Sequence, residues 1–258
     1  MNIAIITGAS SGIGRQFALS LDKGLYQVDA FWLIARRKDR LEELAASLDH
    51  PVRIFQLDLT SKDDLSSFEN ILKQEKPVIR MLINCAGYGL MGAFDSLPVD
   101  DCTGQINLNC SSLTYMTRIC IPYMRKNSRI IQLASSAAFV PQADFAVYAA
   151  SKSYVLSFSM ALRQELKSKG IWVTAVCPGP VKTEFFDTAE QYGTTLAIKK
   201  LTLVEADRVV KDALIASARK QAVSVTGLPM KTLRVMTKLV PHQAVLSSME
   251  LLKTLQKG

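Results

Sequence analysis

The stretch Asn2-Ile-Ala-Ile-Ile-Thr7-Gly8-Ala-Ser10-Ser11-Gly12-Ile13-Gly14 decides how the chain is read. An apolar run of strand length ends in a turn with three glycines, and an apolar periodicity through Phe17, Ala18 and Leu21 follows at helical spacing. Glycine permits backbone angles closed to other residues. The first turn of the helix offers unpaired N–H groups at the positive end of its dipole, where a pyrophosphate can approach. The order Gly-x-x-x-Gly-x-Gly departs from the Gly-x-Gly-x-x-Gly dinucleotide fingerprint. A small-residue connection without a ligand is the competing reading, and the strand-to-helix context argues against it.

Outward from this stretch, strands alternate with helical sequence and no linker or repeat interrupts them. Strands are predicted at Asn2–Thr7, Asp29–Ala35, Val52–Leu57, Ile79–Asn84, Arg129–Ala134, Trp172–Cys177 and Ala222–Val225. About seven strands in a βαβ rhythm imply an α/β fold with a doubly wound parallel sheet, right-handed crossovers and a ligand across the carboxyl edge. The polar residues singled out below lie just after predicted strands or on adjoining helices, so the chemistry gathers on one edge.

Tyr148-Ala-Ala-Ser-Lys152 sets a phenol and an amine four residues apart on one helical face. A nearby cation stabilises a phenolate and so strengthens the acid. Lowering a tyrosine from its usual pKa of about 10 by ~3 units needs ~4 kcal/mol of differential stabilisation. An amphipathic pair without a chemical role is the bland alternative.

These motifs together resemble the short-chain dehydrogenase/reductase family. Thr7-Gly8-x-x-x-Gly12-x-Gly14, Asn84-Cys85-Ala86-Gly87, Asn109, Ser135, Tyr148-x-x-x-Lys152 and Pro178-Gly179-Pro-Val181-x-Thr183 follow the family's motifs in order across nearly the whole chain. Cys85 replaces the usual second Asn of the fourth-strand motif, a change expected to affect packing more than chemistry. The resemblance implies a single-domain Rossmann-like fold and a carbonyl–alcohol interconversion by hydride transfer. In it Tyr148 passes the proton, Ser135 holds the carbonyl oxygen, Lys152 lowers the Tyr148 pKa, and Asn109 supports a water beside Lys152. Ser136 and Asn107 remain alternatives to their neighbours. The cofactor would lie along Thr7, Gly8, Ser10, Ser11, Gly12, Ile13 and Gly14, then Asn84, Ala86 and Gly87, then Tyr148 and Lys152, with Pro178, Gly179, Val181 and Thr183 closing around the nicotinamide.

Cofactor choice is read after the second strand, where Arg36-Arg37-Lys38 stands in place of the carboxylate that would bind a free ribose 2′-hydroxyl. Arginine offers charge and a planar donor fork to a 2′-phosphate, which points to NADP(H). A solvated basic helix start explains the same residues and leaves NAD open. Asp58 and Leu59, after the third strand, resemble the family's adenine contact. A helix cap near Thr60 and Ser61 is the alternative.

Composition sets the remaining bounds. The 258 residues, 48% of them hydrophobic, suffice for one α/β core. Met1 lies one residue from the first strand and no apolar run is of membrane-spanning length, so a cytoplasmic protein is expected. Five cysteines without C-x-x-C spacing read as reduced thiols, and His50 and His242 alone do not support a metal site.

The segment from Glu184 to Leu203 occupies the place of the family's substrate lid and carries Phe185, Phe186, Tyr192, Leu196 and Ile198. It points to an apolar ketone or hydroxysteroid-like substrate, with a 3-oxoacyl thioester or a non-catalytic NADP-binding regulator as alternatives. Residues 1–228 are expected to hold cofactor and catalytic groups, with 229–258 a helical extension of the same domain. There Met230, Leu233, Met236, Leu239 and Val240 interleave with Lys231, Arg234 and Lys238. With a net charge of +8, this tail reads either as a helix covering the pocket or an oligomer interface, or as a weak peripheral membrane contact. The charge is spread and no nucleic-acid motif accompanies it. A homodimer or homotetramer through the helices before Pro122 and after Tyr148 is expected from the resemblance.

Overall fold

The computed structural model describes residues 1–24, 28–193 and 203–240, together with 243 and 247. Seven parallel strands form one sheet: β1 (Asn2–Thr7), β2 (Ala30–Ala35), β3 (Val52–Gln56), β4 (Val78–Asn84), β5 (Met124–Leu133), β6 (Trp172–Val176) and β7 (Val223–Ser224). Their order is β3-β2-β1-β4-β5-β6-β7, so the direction of winding reverses between β1 and β4. In such sheets the crevice outside the carboxyl ends at the reversal is the place for a ligand.

Strand alternation divides the core. On β1, Ala4 and Ile6 face one layer while Ile3 and Ile5 face the other. The first layer is closed by Phe17, Ala18 and Leu21 of α1 (Gly12–Asp22) and by Val209, Val210 and Ala213 of α8 (Ala206–Ala218). The second is closed by α3 (Lys62–Glu75), α5 (Leu113–Cys120) and α6 (Ala146–Leu166), through Phe68, Met116 and Leu162 among others. Each wholly buried isoleucine of β1 contributes about 1.5–3 kcal/mol by leaving water. The glycine turn is thereby fixed at the end of a strand packed on both faces.

Two elements differ from expectation. β5 begins at Met124, five residues before the predicted start, because Asn127 takes a left-handed backbone angle (φ 70°) and lets Arg125-Lys126-Asn127-Ser128 stay near the ladder. Its polar sequence reads as a turn. The Asn109 helix is also not one regular helix. A π-helical turn at Asn107–Ser112 joins α4 (Val99–Ile106) to α5, and Ser112 Oγ donates to both Asn107 O (2.8 Å) and Leu59 O (2.5 Å). Such widened turns often mark functional sites. The remaining strand ends fall within about two residues of the predicted ones.

Candidate active site

The carboxyl edge opens into a cleft of about 1120 Å³ that runs from Arg36 and Arg37, past Ser10–Gly14, to Ser135, Tyr148 and Met230. Small-ligand pockets span roughly 300–1,000 Å³, so the cleft has room for a long ligand and a second molecule at one end.

At one end the glycine turn leads into α1. Gly8 and Gly12 have φ of +66° and +52°, and the Ser11 side chain does not cap the helix. Ser11, Gly12, Ile13 and Gly14 line the cleft, so the uncapped first turn offers amides to an anion. Arg36, Arg37, Asp58, Leu59, Ala86, Gly87, Pro178, Gly179, Val181 and Thr183 line it as well. This lining fits an extended dinucleotide with basic groups at its far end.

Thr7 and Asn84 are not among the residues lining the cleft. Thr7 Oγ1 accepts from the amides of Cys85 (3.1 Å) and Ala86 (3.2 Å), tying β1 to the loop after β4. Asn84 Nδ2 donates to Thr117 Oγ1 and Gln132 Oε1 inside the sheet layer. Both hold the wall in place from behind. Asp58 Oδ1 accepts from Thr60 N (2.9 Å) and Thr60 Oγ1 (2.7 Å), while Ser61 caps α3. The local turn and a place in the cleft wall therefore coexist at Asp58.

At the other end, Tyr148 and Lys152 stand one turn apart on α6, with Lys152 Nζ 5.6 Å from the phenol ring centroid. The Tyr148 ring stacks on Phe145 (4.3 Å between centroids) and meets Phe185 of α7 (Phe185–Ala189) at 5.4 Å. A Cβ on Gly89 would lie 2.7 Å from Tyr148 Cγ, so only glycine lets the ring seat there. Gly89 belongs to no motif used above, and its signal is this packing alone.

Burial pushes Tyr148 up to about 12, opposed by its hydrogen bond with Ser135. The protein alone thus raises this phenol through burial, while the Lys152 ammonium is turned to Leu133 O at 2.8 Å. Burial in turn depresses Lys152 to about 8. The surrounding Cys85 and Cys177 thiols are themselves raised to about 12 by burial, so they stay neutral and leave Lys152 without a charged partner among them.

Of the paired candidates, Ser135 bonds Tyr148, while Ser136 lines the cleft with its backbone N–H on Pro178 O (2.7 Å). Asn109 is fully buried and brackets Tyr88: Oδ1 accepts from Tyr88 N (3.1 Å), and Nδ2 donates to Tyr88 O (2.8 Å) and Ser151 Oγ (3.0 Å). A Cβ on Gly87 would meet both Asn109 Oδ1 (2.7 Å) and Lys152 Nζ (3.4 Å), whereas Asn107 is exposed on the cleft wall. Met230 and Leu233 of α9 (Leu228–Leu239) reach the cleft, so the start of the tail covers its mouth. Leu196 and Ile198 lie outside the described residues.

The depressed Lys152 has a consequence for stability. Between pH 8 and its ordinary 10.5 the unfolded chain binds the proton that the folded chain has lost, so the destabilisation from burying this cation is full below pH 8 and fades as pH rises toward 10.5. Urea unfolding of wild type and Lys152→Met should therefore differ most below pH 8, the variant being more stable there, with the gap narrowing above it. A gap independent of pH would show that Lys152 is not desolvated.

Comparison with known proteins gives a consistent result. The family model described as short chain dehydrogenase matches residues 2–192. A probable short-chain type dehydrogenase/reductase of Helicobacter pylori is 34% identical over 191 residues, covering 72% of this chain and 68% of that protein. Among solved structures, a Sphingobium yanoikuyae short-chain dehydrogenase in complex with NADPH is 31% identical, with a TM-score of 0.77 over 87% of each chain. The bulky-bulky ketone specific alcohol dehydrogenase of Comamonas testosteroni is 28% identical, with a TM-score of 0.73 over 88% of this chain and 87% of that one.

Proposed function

The chain belongs to the short-chain dehydrogenase family of oxidoreductases, which bind nicotinamide cofactors, and on that premise we propose that it reduces an apolar ketone to a secondary alcohol with NADPH. The observation that carries the reading is a buried phenol, protonated at neutral pH, bonded to Ser135 and walled by Phe145 and Phe185. NADPH, when bound, supplies the hydride. Ser135 orients the carbonyl oxygen by a hydrogen bond, and Tyr148 donates its proton to the alkoxide that develops there. A phenol at about 12 is protonated at neutral pH and remains a far stronger acid than an alcohol, so it can hand its proton to the developing alkoxide. Lys152 donates to Leu133 O, and its ammonium, 5.6 Å from the phenol ring centroid, favours the phenolate left behind. Asn109 holds the Tyr88 backbone and the Ser151 hydroxyl, and so ties the loop after β4 to α6 beside Lys152. The aromatic and methionine lining excludes water and favours apolar substituents over charged ones.

The paired arginines support NADPH over NADH. A panel of bulky aromatic, steroid and aliphatic ketones and 3-oxoacyl thioesters, run with each cofactor, tests the reading. Turnover of bulky ketones with NADPH is expected at least tenfold above NADH, with the preference lost in Arg36→Ala/Arg37→Ala. Equal use of both cofactors by wild type would remove the assignment, and turnover confined to thioesters would move the substrate class.

Further parts of the reading have separate support. Exposed Phe94, Ile106 and Tyr154 beside α4 and α6 favour a homo-oligomer. Exposed Leu228, Val235, Met236 and Leu239 beside Lys231 favour weak peripheral contact with an anionic membrane, through an extension that belongs to the same domain. No helix among the described residues is long and apolar enough to cross a membrane. Five buried unpaired thiols suit the reducing cytoplasm.

A further inference from the structure

Arg37 sits at the end of β2, where the chain turns toward α2 (Lys38–Ala46), and its guanidinium is held from two sides. Nε and Nη2 donate to Ser10 Oγ on the glycine turn at 3.4 and 3.3 Å. Nη1 pairs with Glu184 Oε2 at 2.9 Å, from a residue 147 positions later. Glu184 follows Thr183, whose Cγ2 would meet a Cβ on Gly12 at 3.3 Å, so this loop lies directly against the start of α1. Glu184 also immediately precedes α7, whose first residue, Phe185, contacts the Tyr148 ring.

We infer that Glu184 is a specificity-determining residue that competes with the 2′-phosphate of the cofactor for Arg37, an inference that rests on the NADP(H) reading above. A carboxylate is an acceptor of the same charge sign and similar fork geometry as a phosphate face, and both take the same guanidinium donors. The pair is about half exposed on both partners, so its own stability is small and a dianion can displace it. A carboxylate that stays nearby repels the arriving phosphate. Ser10 keeps the other guanidinium edge anchored during the exchange, so Arg37 need not be rebuilt. The phosphate that distinguishes the two cofactors is thus weighed against a residue whose neighbour packs on the phenol. NADH, which carries no 2′-phosphate, does not enter this competition.

The test is calorimetric titration of wild type, Glu184→Gln and Arg37→Ala with adenosine 2′,5′-bisphosphate, NADPH, NADH and adenosine 5′-monophosphate. Glu184→Gln is expected to bind the bisphosphate and NADPH about three- to tenfold more tightly than wild type, with NADH and the monophosphate unchanged. An unchanged or weakened bisphosphate affinity in Glu184→Gln, alongside a clear loss in Arg37→Ala, overturns the competition and leaves the NADP(H) reading standing. Equal tightening for all four ligands overturns it too, since Glu184 would then act on the whole dinucleotide site. Wild type that binds bisphosphate no better than monophosphate, with no effect of Arg37→Ala, removes the NADP(H) reading itself and the inference with it.

Discussion

Tyr148→Phe is expected to lower ketone reduction by about 10²–10⁴-fold while leaving the NADPH dissociation constant within about twofold of wild type. The variant removes one oxygen and keeps the ring, so the stack on Phe145 and the contact with Phe185 persist. The hydroxyl lost is the one bonded to Ser135, and among the described residues of the cleft its neighbour Lys152 is turned away to Leu133 O. The developing alkoxide would have to draw on water, which the apolar wall keeps out. Burial raises the phenol from its ordinary 10 to about 12, so the stability gap between wild type and the phenylalanine variant should be flat below pH 10 and shift in favour of the variant between pH 10 and 12, where only the unfolded phenol ionises. Steady-state reduction, NADPH titration and urea unfolding of the one variant check all three statements. Retained turnover would transfer the proton-donor role to another group, and lost cofactor binding would show that the ring, rather than the oxygen, is what matters.

Gly14→Ala is the second large effect, expected to cost about 3 kcal/mol or more of stability and to abolish dinucleotide binding. A Cβ at position 14 would collide with the carbonyl oxygen of Gly8 and lie 2.8 Å from its carbon. Those are backbone atoms of the turn itself, so no side chain can move aside. Relief requires α1 to shift away from the end of β1, which pulls Phe17, Ala18 and Leu21 from the layer they share with Ala4 and Ile6. The same shift spoils the cradle at Ser11–Gly14. Gly12→Ala is an informative partner, since its nearest neighbour is the Thr183 methyl at 3.3 Å, although its positive φ adds strain of its own. Chemical unfolding and NADPH titration separate the outcomes: a stable variant that still binds would mean that the helix can retreat without harm.

The motifs readable in the chain are those whose chemistry is local. The glycine turn, the Tyr148–Lys152 spacing and the arginines after β2 each depend on neighbours within one turn or one strand end, and short sequence holds that information. The contacts through which other residues support them were not readable in this way. Asn109 acts through Tyr88 and Ser151, 21 and 42 residues away. Thr7 serves a loop 78 residues later, and Glu184 reaches Arg37 across 147. No periodicity records those distances. The burial that raises the Tyr148 phenol is equally absent from local sequence, because it comes from several elements closing together.

The amino-acid sequence by itself determined the alternation of strand and helix, the winding of the sheet and the edge on which the polar residues collect. These follow from apolar periodicity, glycine placement and the handedness of crossovers, all properties of contiguous residues. Tertiary structure alone decided which serine meets the phenol, which way Lys152 turns, that α9 covers the cleft and that Glu184 holds Arg37. Burial and long-range pairing set these features, because desolvation and hydrogen-bond geometry depend on every element packed around a group and not only on its neighbours in the chain.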